Sequence, residues 1–264
     1  MIQKGKSVTL ATGSRGCGKN LLLELICQIA NSDTVIFTDT TTIIGLHIQR
    51  KTEVGLALQQ NKSEIKLGEL LKGNLVFQAV VQWMREMAER QNIYQFLIAG
   101  GARSEEENRL WKSFGMPTRV IHVATTPEQD LLGVNLRQRQ TGIIRPDENP
   151  EALLKARELY EKQIVPGLDV FGKAVLHTHR SKTVRMRLEE SIEHMAIPSN
   201  ISKRWLDRLA EKSNSVSIRV DILDGVTKKG KPARVESQVQ EGNYPQAISG
   251  FAGIVQAGMQ LSAR

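Results

Sequence analysis

The sequence predicts an α/β fold in which five parallel strands are covered by helices, followed by a small appendage. Three observations predict it. Strand-like and helix-like patterns alternate from Ser7 to about Met195, an order that closes into a parallel sheet. A glycine-rich turn, Gly13 to Lys19, separates the first strand from the first helix. The chain has 264 residues, of which 40% are hydrophobic and 24% charged; this suffices for one large core and excludes a collagenous or wholly disordered chain.

In chain order, Ser7-Val8-Thr9-Leu10-Ala11 is the first strand, and Leu21 to Ile26 is the amphipathic start of the helix after the turn. Thr34 to Thr38 is the second strand, and helical periodicity spans Leu75 to Arg90. Tyr94 to Ala99, ending in Gly100-Gly101, is the third strand, Arg119 to Ala124 the fourth and Lys173 to His177 the fifth. In such a sheet the loops at the carboxyl ends of the strands are where a ligand sits. Beyond Met195, Pro198 precedes a basic helix near Lys203 to Lys212, and Val216, Ile218, Val220 and Ile222 alternate as a half-buried strand does. Lys228 to Pro232 reads as a turn, Ala233 to Glu241 as the return strand, and Ile248, Phe251, Ala252, Val255 and Met259 as one helical stripe. The expected organisation is a domain over residues 1–195 and a C-terminal α+β appendage, a β-hairpin plus helix, over residues 196–264.

Net charge is +8, from 36 basic and 28 acidic residues. This suits phosphate-bearing ligands without indicating nucleic acid, which is not expected as a partner. Two cysteines, Cys17 and Cys27, make no disulfide framework, so a reducing, cytoplasmic setting is expected. No apolar run reaches the length of a bilayer span, and no secretory signal is read at the start. Apart from His177 and His179 the histidines have no metal-ligand spacing, and no metal is assigned to any of them.

The sharpest motif is Gly13-Ser14-Arg15-Gly16-Cys17-Gly18-Lys19, followed by Asn20. Between a strand and a helix this is a phosphate-binding loop: glycines let backbone N–H groups curl toward phosphate oxygens, the helix N-terminus adds its dipole, and Lys19 supplies a point charge. A Ser or Thr hydroxyl normally ligates Mg²⁺ just after the lysine; here Asn20 offers an amide oxygen and Leu21 nothing. Cys17 lies in an electropositive loop at a helix N-terminus, although loop positions of this kind accept many residues.

With that loop, five further segments in order give a resemblance to adenylate kinase and its nucleoside-monophosphate-kinase relatives over Ser7 to Met195. Leu67 to Val76 resembles the segment flanking the monophosphate site, and Phe96 to Ser104 the third-strand motif. Arg145-Pro146-Asp147-Glu148-Asn149-Pro150-Glu151, with Tyr160 to Gln163 and Pro166-Gly167-Leu168, resembles the end of the lid and the long helix after it. The resemblance implies a P-loop three-layer fold with a short lid over Leu136 to Arg145, lacking a zinc knuckle. It also implies ATP as donor substrate with Mg²⁺ beside it, Lys19 on the outer phosphates, Arg103 on the acceptor phosphate, and Arg139 and Arg145 closing from the lid. Arg137 is a further nucleotide-binding candidate. Arginines and a lysine would carry the catalysis by spreading positive charge over the moving phosphoryl group.

The departures from the family pattern are specific. Ala99 stands where an aspartate holds metal-bound water, Gly101-Ala102 replaces Phe-Pro, and Thr40 to Ile44 lacks an expected arginine. Ala156 occupies another arginine position, with Arg157 next to it, and Glu107 replaces the glutamine that reads the acceptor base. Asp39, at the end of the second strand, is the candidate for a replacement metal carboxylate or, alternatively, the cap of the helix that follows. Three functions compete: a divergent nucleoside-monophosphate kinase; a catalytically impaired nucleotide-binding regulatory or scaffold protein that self-associates or binds a protein partner through residues 196–264; and a P-loop ATPase or GTPase. Against the last, Ala99 stands where the strand-end carboxylate for metal-bound water belongs, and no Asn-Lys-x-Asp motif occurs.

Overall fold

A computed structural model describes residues 6–30, 34–64, 69–90, 93, 95–142 and 149–223. The sheet is formed by β1 (Ser7–Gly13), β2 (Val35–Asp39), β3 (Gln95–Ala99), β4 (Thr118–Ala124) and β5 (Val175–His179). Its order is β2-β3-β1-β4-β5, with every pairing parallel. All five predicted strands form, because each apolar run is short and bounded by turn residues. Val8 and Leu10 face one core and Ala11 the other, as the two-residue period of a doubly covered strand requires.

Helices fill both faces. One core gathers α2 (Thr40–Gln49), α3 (Glu53–Glu64), α4 (Gly73–Arg90) and α5 (Glu105–Ser113) around Phe96, Ile98 and Trp111. The other holds α1 (Lys19–Ala30) against Leu97, Ile121 and Val123. After β4 come α6 (Pro127–Thr141), started by the capping box of Thr126 and Gln129 and stopped by left-handed Gly142 (φ 67°), and α7 (Pro150–Leu159). The expected lid loop is therefore helical from Leu136 to Thr141. A π turn, Tyr160–Ile164, continues α7 into α8 (Val165–Gly167), and a 3₁₀ segment, Leu168–Ala174, leads to β5.

The appendage departs from expectation. After α9 (Val184–His194), residues Ser199–Leu223 form one helix, α10, so Val216 to Ile222 is helical and the first strand of the expected hairpin is corrected. The same residues that alternate also lie four apart, Val216 with Val220 and Ile218 with Ile222. No Gly or Pro interrupts the chain between Ser199 and Leu223, so nothing stops the helix from propagating. The turn, return strand and terminal stripe expected beyond residue 223 lie outside the described residues. The first part of α10 is integral to the core. Trp205 is fully buried beside α9 residues Leu188 and Ile192, and Arg208 donates to the carbonyls of Ile29 and Ala30 at the end of α1. Among the described residues no helix is long and apolar enough to cross a membrane.

Candidate functional site

Because all strands run one way, the ends of β1, β3, β4 and β5 open at one edge of the sheet. The loop from Gly13 to Lys19 sits at its centre, between the loops after β3 and β4. Gly13, Gly16 and Gly18 have φ of 152°, 82° and 89°, conformations that L side chains rarely adopt. A Cβ on Gly13 would sit 2.6 Å from the Val123 carbonyl oxygen and 2.7 Å from Cys17 Sγ, and one on Gly16 would overlap the Asp130 carbonyl oxygen. The loop is thus pressed between β4 and α6. The first amides of α1, which Lys19 opens, have no intrahelical acceptors. Lys19 Nζ folds back to 3.2 Å from the Ser14 carbonyl and 3.4 Å from that of Gly13, with Cys17 Sγ at 3.9 Å. Cys17 and Ser14 are buried, Arg15 is half-buried and Asn20 exposed.

The loop is braced by Thr125, Asp130 and Arg180, which no sequence motif singled out, and by Arg157, the neighbour of Ala156. Ser14 Oγ bonds Thr125 Oγ1 at 2.6 Å and donates to Asp130 Oδ1 at 2.5 Å. Arg157 Nη1 donates to Asp130 Oδ2 at 2.9 Å and to the Thr125 carbonyl at 3.0 Å, while its Nε donates to Glu161 at 2.6 Å. Arg157, not Ala156, therefore reaches toward the loop, with its guanidinium carbon 5.1 Å above the Tyr160 ring. Arg180, after β5, donates to the carbonyls of Gly16 and Gln129 and ties the loop to α6. A Cβ on Gly133 would overlap Gly16 O, so close approach of α6 requires glycine there. No motif flags Arg180; it stands one residue past β5, whose end the sequence pattern places two residues earlier, at His177.

Below the loop, His122 Nε2 and Tyr160 Oη are 2.5 Å apart, and His122 Nδ1 and His177 Nδ1 2.9 Å apart, because parallel register sets His122 beside His177. Burial, then the neighbouring His177, pulls the His122 pKa from 6.5 down to about 4, so this imidazole is neutral at pH 7. The unfolded chain takes up a proton between pH 6.5 and 4 that the folded chain does not, so stability rises with pH through that window and is lost as pH falls through it. Between pH 7 and 5 the wild type is expected to lose up to about 2 kcal/mol more than His122→Gln, measured by urea unfolding at both pH values.

After β3, Arg103 follows the Gly100-Gly101-Ala102 turn. Its side chain is 19% exposed, and its Nε and Nη2 are buried with no hydrogen-bond partner. Glu107 is 1% exposed and accepts from the amides of Ala102 and Arg103. Arg137 and Arg139 lie near the end of α6, half-buried and exposed respectively, and Arg145 lies outside the described residues.

For a metal, Asp39 caps α2: its Oδ1 accepts from Thr42 N at 2.9 Å and its Oδ2 from Thr42 Oγ1 at 3.0 Å. It stands beside Ala99 in the strand register, but Ala99 and Leu21 offer no side-chain oxygen. Among the described residues no three His, Cys, Asp or Glu side chains converge. These residues do not compose a protein magnesium site.

Comparison with known proteins agrees with this architecture. The chain is 24% identical over 184 residues to an adenylate kinase of Deinococcus deserti, spanning 67% of this chain and 90% of that protein. It is 27% identical over 165 residues to an adenylate kinase of Bifidobacterium longum, spanning 61% and 84%. No protein-family model matches the chain. The fold and the loop define a P-loop protein with a parallel α/β sheet. Within that class the chain is similar to adenylate kinases at 24–27% identity.

Proposed function

We propose that the chain is a divergent nucleoside-monophosphate kinase, transferring the terminal phosphoryl group of ATP to the phosphate of a nucleoside monophosphate. The observation that carries this reading is the pairing, at one edge of the sheet, of the glycine loop and Lys19 with Arg103, whose buried Nε and Nη2 have no hydrogen-bond partner. Two polyanions held in line need positive charge at both ends and between them. Lys19 would hold the donor's outer phosphates, Arg103 the acceptor phosphate, and Arg139 and Arg145 would close over the transferred group. The reacting oxygens need no covalent help from the protein, so positioning and charge are its whole contribution.

The second reading, a nucleotide-binding regulatory protein, draws on Ala99 and Leu21 and on Arg157, whose guanidinium is occupied by Asp130, Thr125 and Glu161. A coupled assay with MgATP and each common nucleoside monophosphate separates the two. Turnover on at least one acceptor is the expected result; ATP binding with no turnover on any acceptor selects the regulatory reading.

A further inference from the structure

We propose that Glu107 is a positioning residue for Arg103, and that this end of the cleft selects its ligand through a phosphomonoester group instead of through a base. The inference rests on the functional reading above and deepens it. Glu107 stands where the family resemblance puts an amide that reads the acceptor base, yet its carboxylate has no capacity left for one. Oε1 accepts from Ala102 N at 3.1 Å and from Trp111 Nε1 at 3.3 Å, Oε2 accepts from Arg103 N at 3.3 Å, and Arg103 Nε stands 3.8 Å from Oε2. A carboxylate offers about four lone-pair directions; three receive N–H groups and the fourth faces the guanidinium. Swinging out to a base would strand three buried donors, each costing more than a single hydrogen bond returns.

What the carboxylate does instead is fix the loop that carries Arg103. Ala102 is left-handed (φ 57°), an unfavourable state for a residue with a Cβ, and its amide is the one that Glu107 holds. The carboxylate is itself immobilised. Ser104 Oγ accepts from Glu107 N at 3.2 Å as the cap of α5, and a Cβ on Gly73 of α4 would lie 2.6 Å from Ser104 Oγ and 3.1 Å from Glu107 Cβ. At 3.8 Å the Glu107 charge orients the guanidinium without hydrogen-bonding it. The two nitrogens left without hydrogen-bond partners, Nε and Nη2, form one of the two guanidinium edges that can grip two oxygens of an oxyanion side by side. A buried edge of this kind calls for a dianionic tetrahedral group, and Glu107, at the position expected to read a base, distinguishes no base from another.

The test uses the full chain, with AMP, CMP, GMP, UMP and ribose 5-phosphate as probes in calorimetric titrations, and the side-chain Nε resonance of Arg103 followed by ¹⁵N NMR. All five probes are expected to bind within about tenfold of one another and to shift the Arg103 resonance. Glu107→Gln, which turns an NH₂ group toward N–H donors, should weaken all five about tenfold or more alike, abolish the Arg103 shift and leave ATP affinity unchanged. Trp111→Phe, which removes one donor and keeps an aromatic ring, should show the same pattern at a few-fold and serves if Glu107→Gln does not fold. The proposal is overturned if Glu107→Gln changes the order among bases, leaves the affinities unchanged or tightens them, or if no probe binds the wild type. Binding through Arg103 with no phosphoryl transfer removes the kinase reading and leaves this assignment standing, whereas transfer indifferent to Glu107 does the reverse.

Discussion

Lys19→Ala is expected to lower phosphoryl transfer by about 10²–10³, the cost of removing one preorganised donor from developing charge, and to weaken ATP binding with it. The Lys19 ammonium lies over the glycine loop, 3.2 Å and 3.4 Å from two loop carbonyls. Those contacts are long for a charged donor, so the ammonium leaves them readily for phosphate oxygens. For the same reason the variant should unfold at nearly the wild-type midpoint, within about 0.5 kcal/mol. Calorimetric ATP titration beside a denaturant melt measures both quantities. If the Lys19→Ala protein bound ATP like the wild type, Lys19 would be removed from the site.

Gly16→Ala is expected to destabilise the fold by about 3 kcal/mol or more, because two costs add. Its φ of 82° is strained for alanine, by about 1–2 kcal/mol. The new methyl also overlaps the Asp130 carbonyl oxygen, which is backbone in the first turn of α6 and cannot rotate away; overpacking of this kind costs about 1–3 kcal/mol. Gly18→Ala is the internal control. Its φ is 89°, but nothing lies within 4 Å of the added carbon, so only the strain of about 1–2 kcal/mol applies. Urea unfolding of the two variants should rank them in that order, and equal losses would mean that α6 does not press on the loop.

The strands and the phosphate loop were legible because their signals are local: an apolar run bounded by turn residues, or glycines and a lysine between a strand and a helix. What was not legible depends on register or distant contact. Val216 to Ile222 satisfies a two-residue and a four-residue spacing at once, and the continuous breaker-free chain from Ser199 decides for the helix. Arg157 stands one residue from the position the family pattern marks, and only the placement of Thr125 and Asp130 shows where its guanidinium goes. Arg180 meets Gly16 from 164 residues away in the chain. Asp39 was legible as two alternatives, and the capping geometry is the one its oxygens display. Glu107 was visible as a departure from the family pattern, but its role is written in three N–H groups that no spacing reveals.

The central claim is that the backbone between Gly13 and Lys19 is a polyphosphate cradle. The most direct measurement is ¹H–¹⁵N NMR of the full chain titrated with ATP. The amides of Gly16, Cys17, Gly18 and Lys19 are expected to move downfield, saturably and together, and to stop responding in Lys19→Ala. If those four amides stayed in place while ATP shifted residues elsewhere, or shifted none, the account would be contradicted.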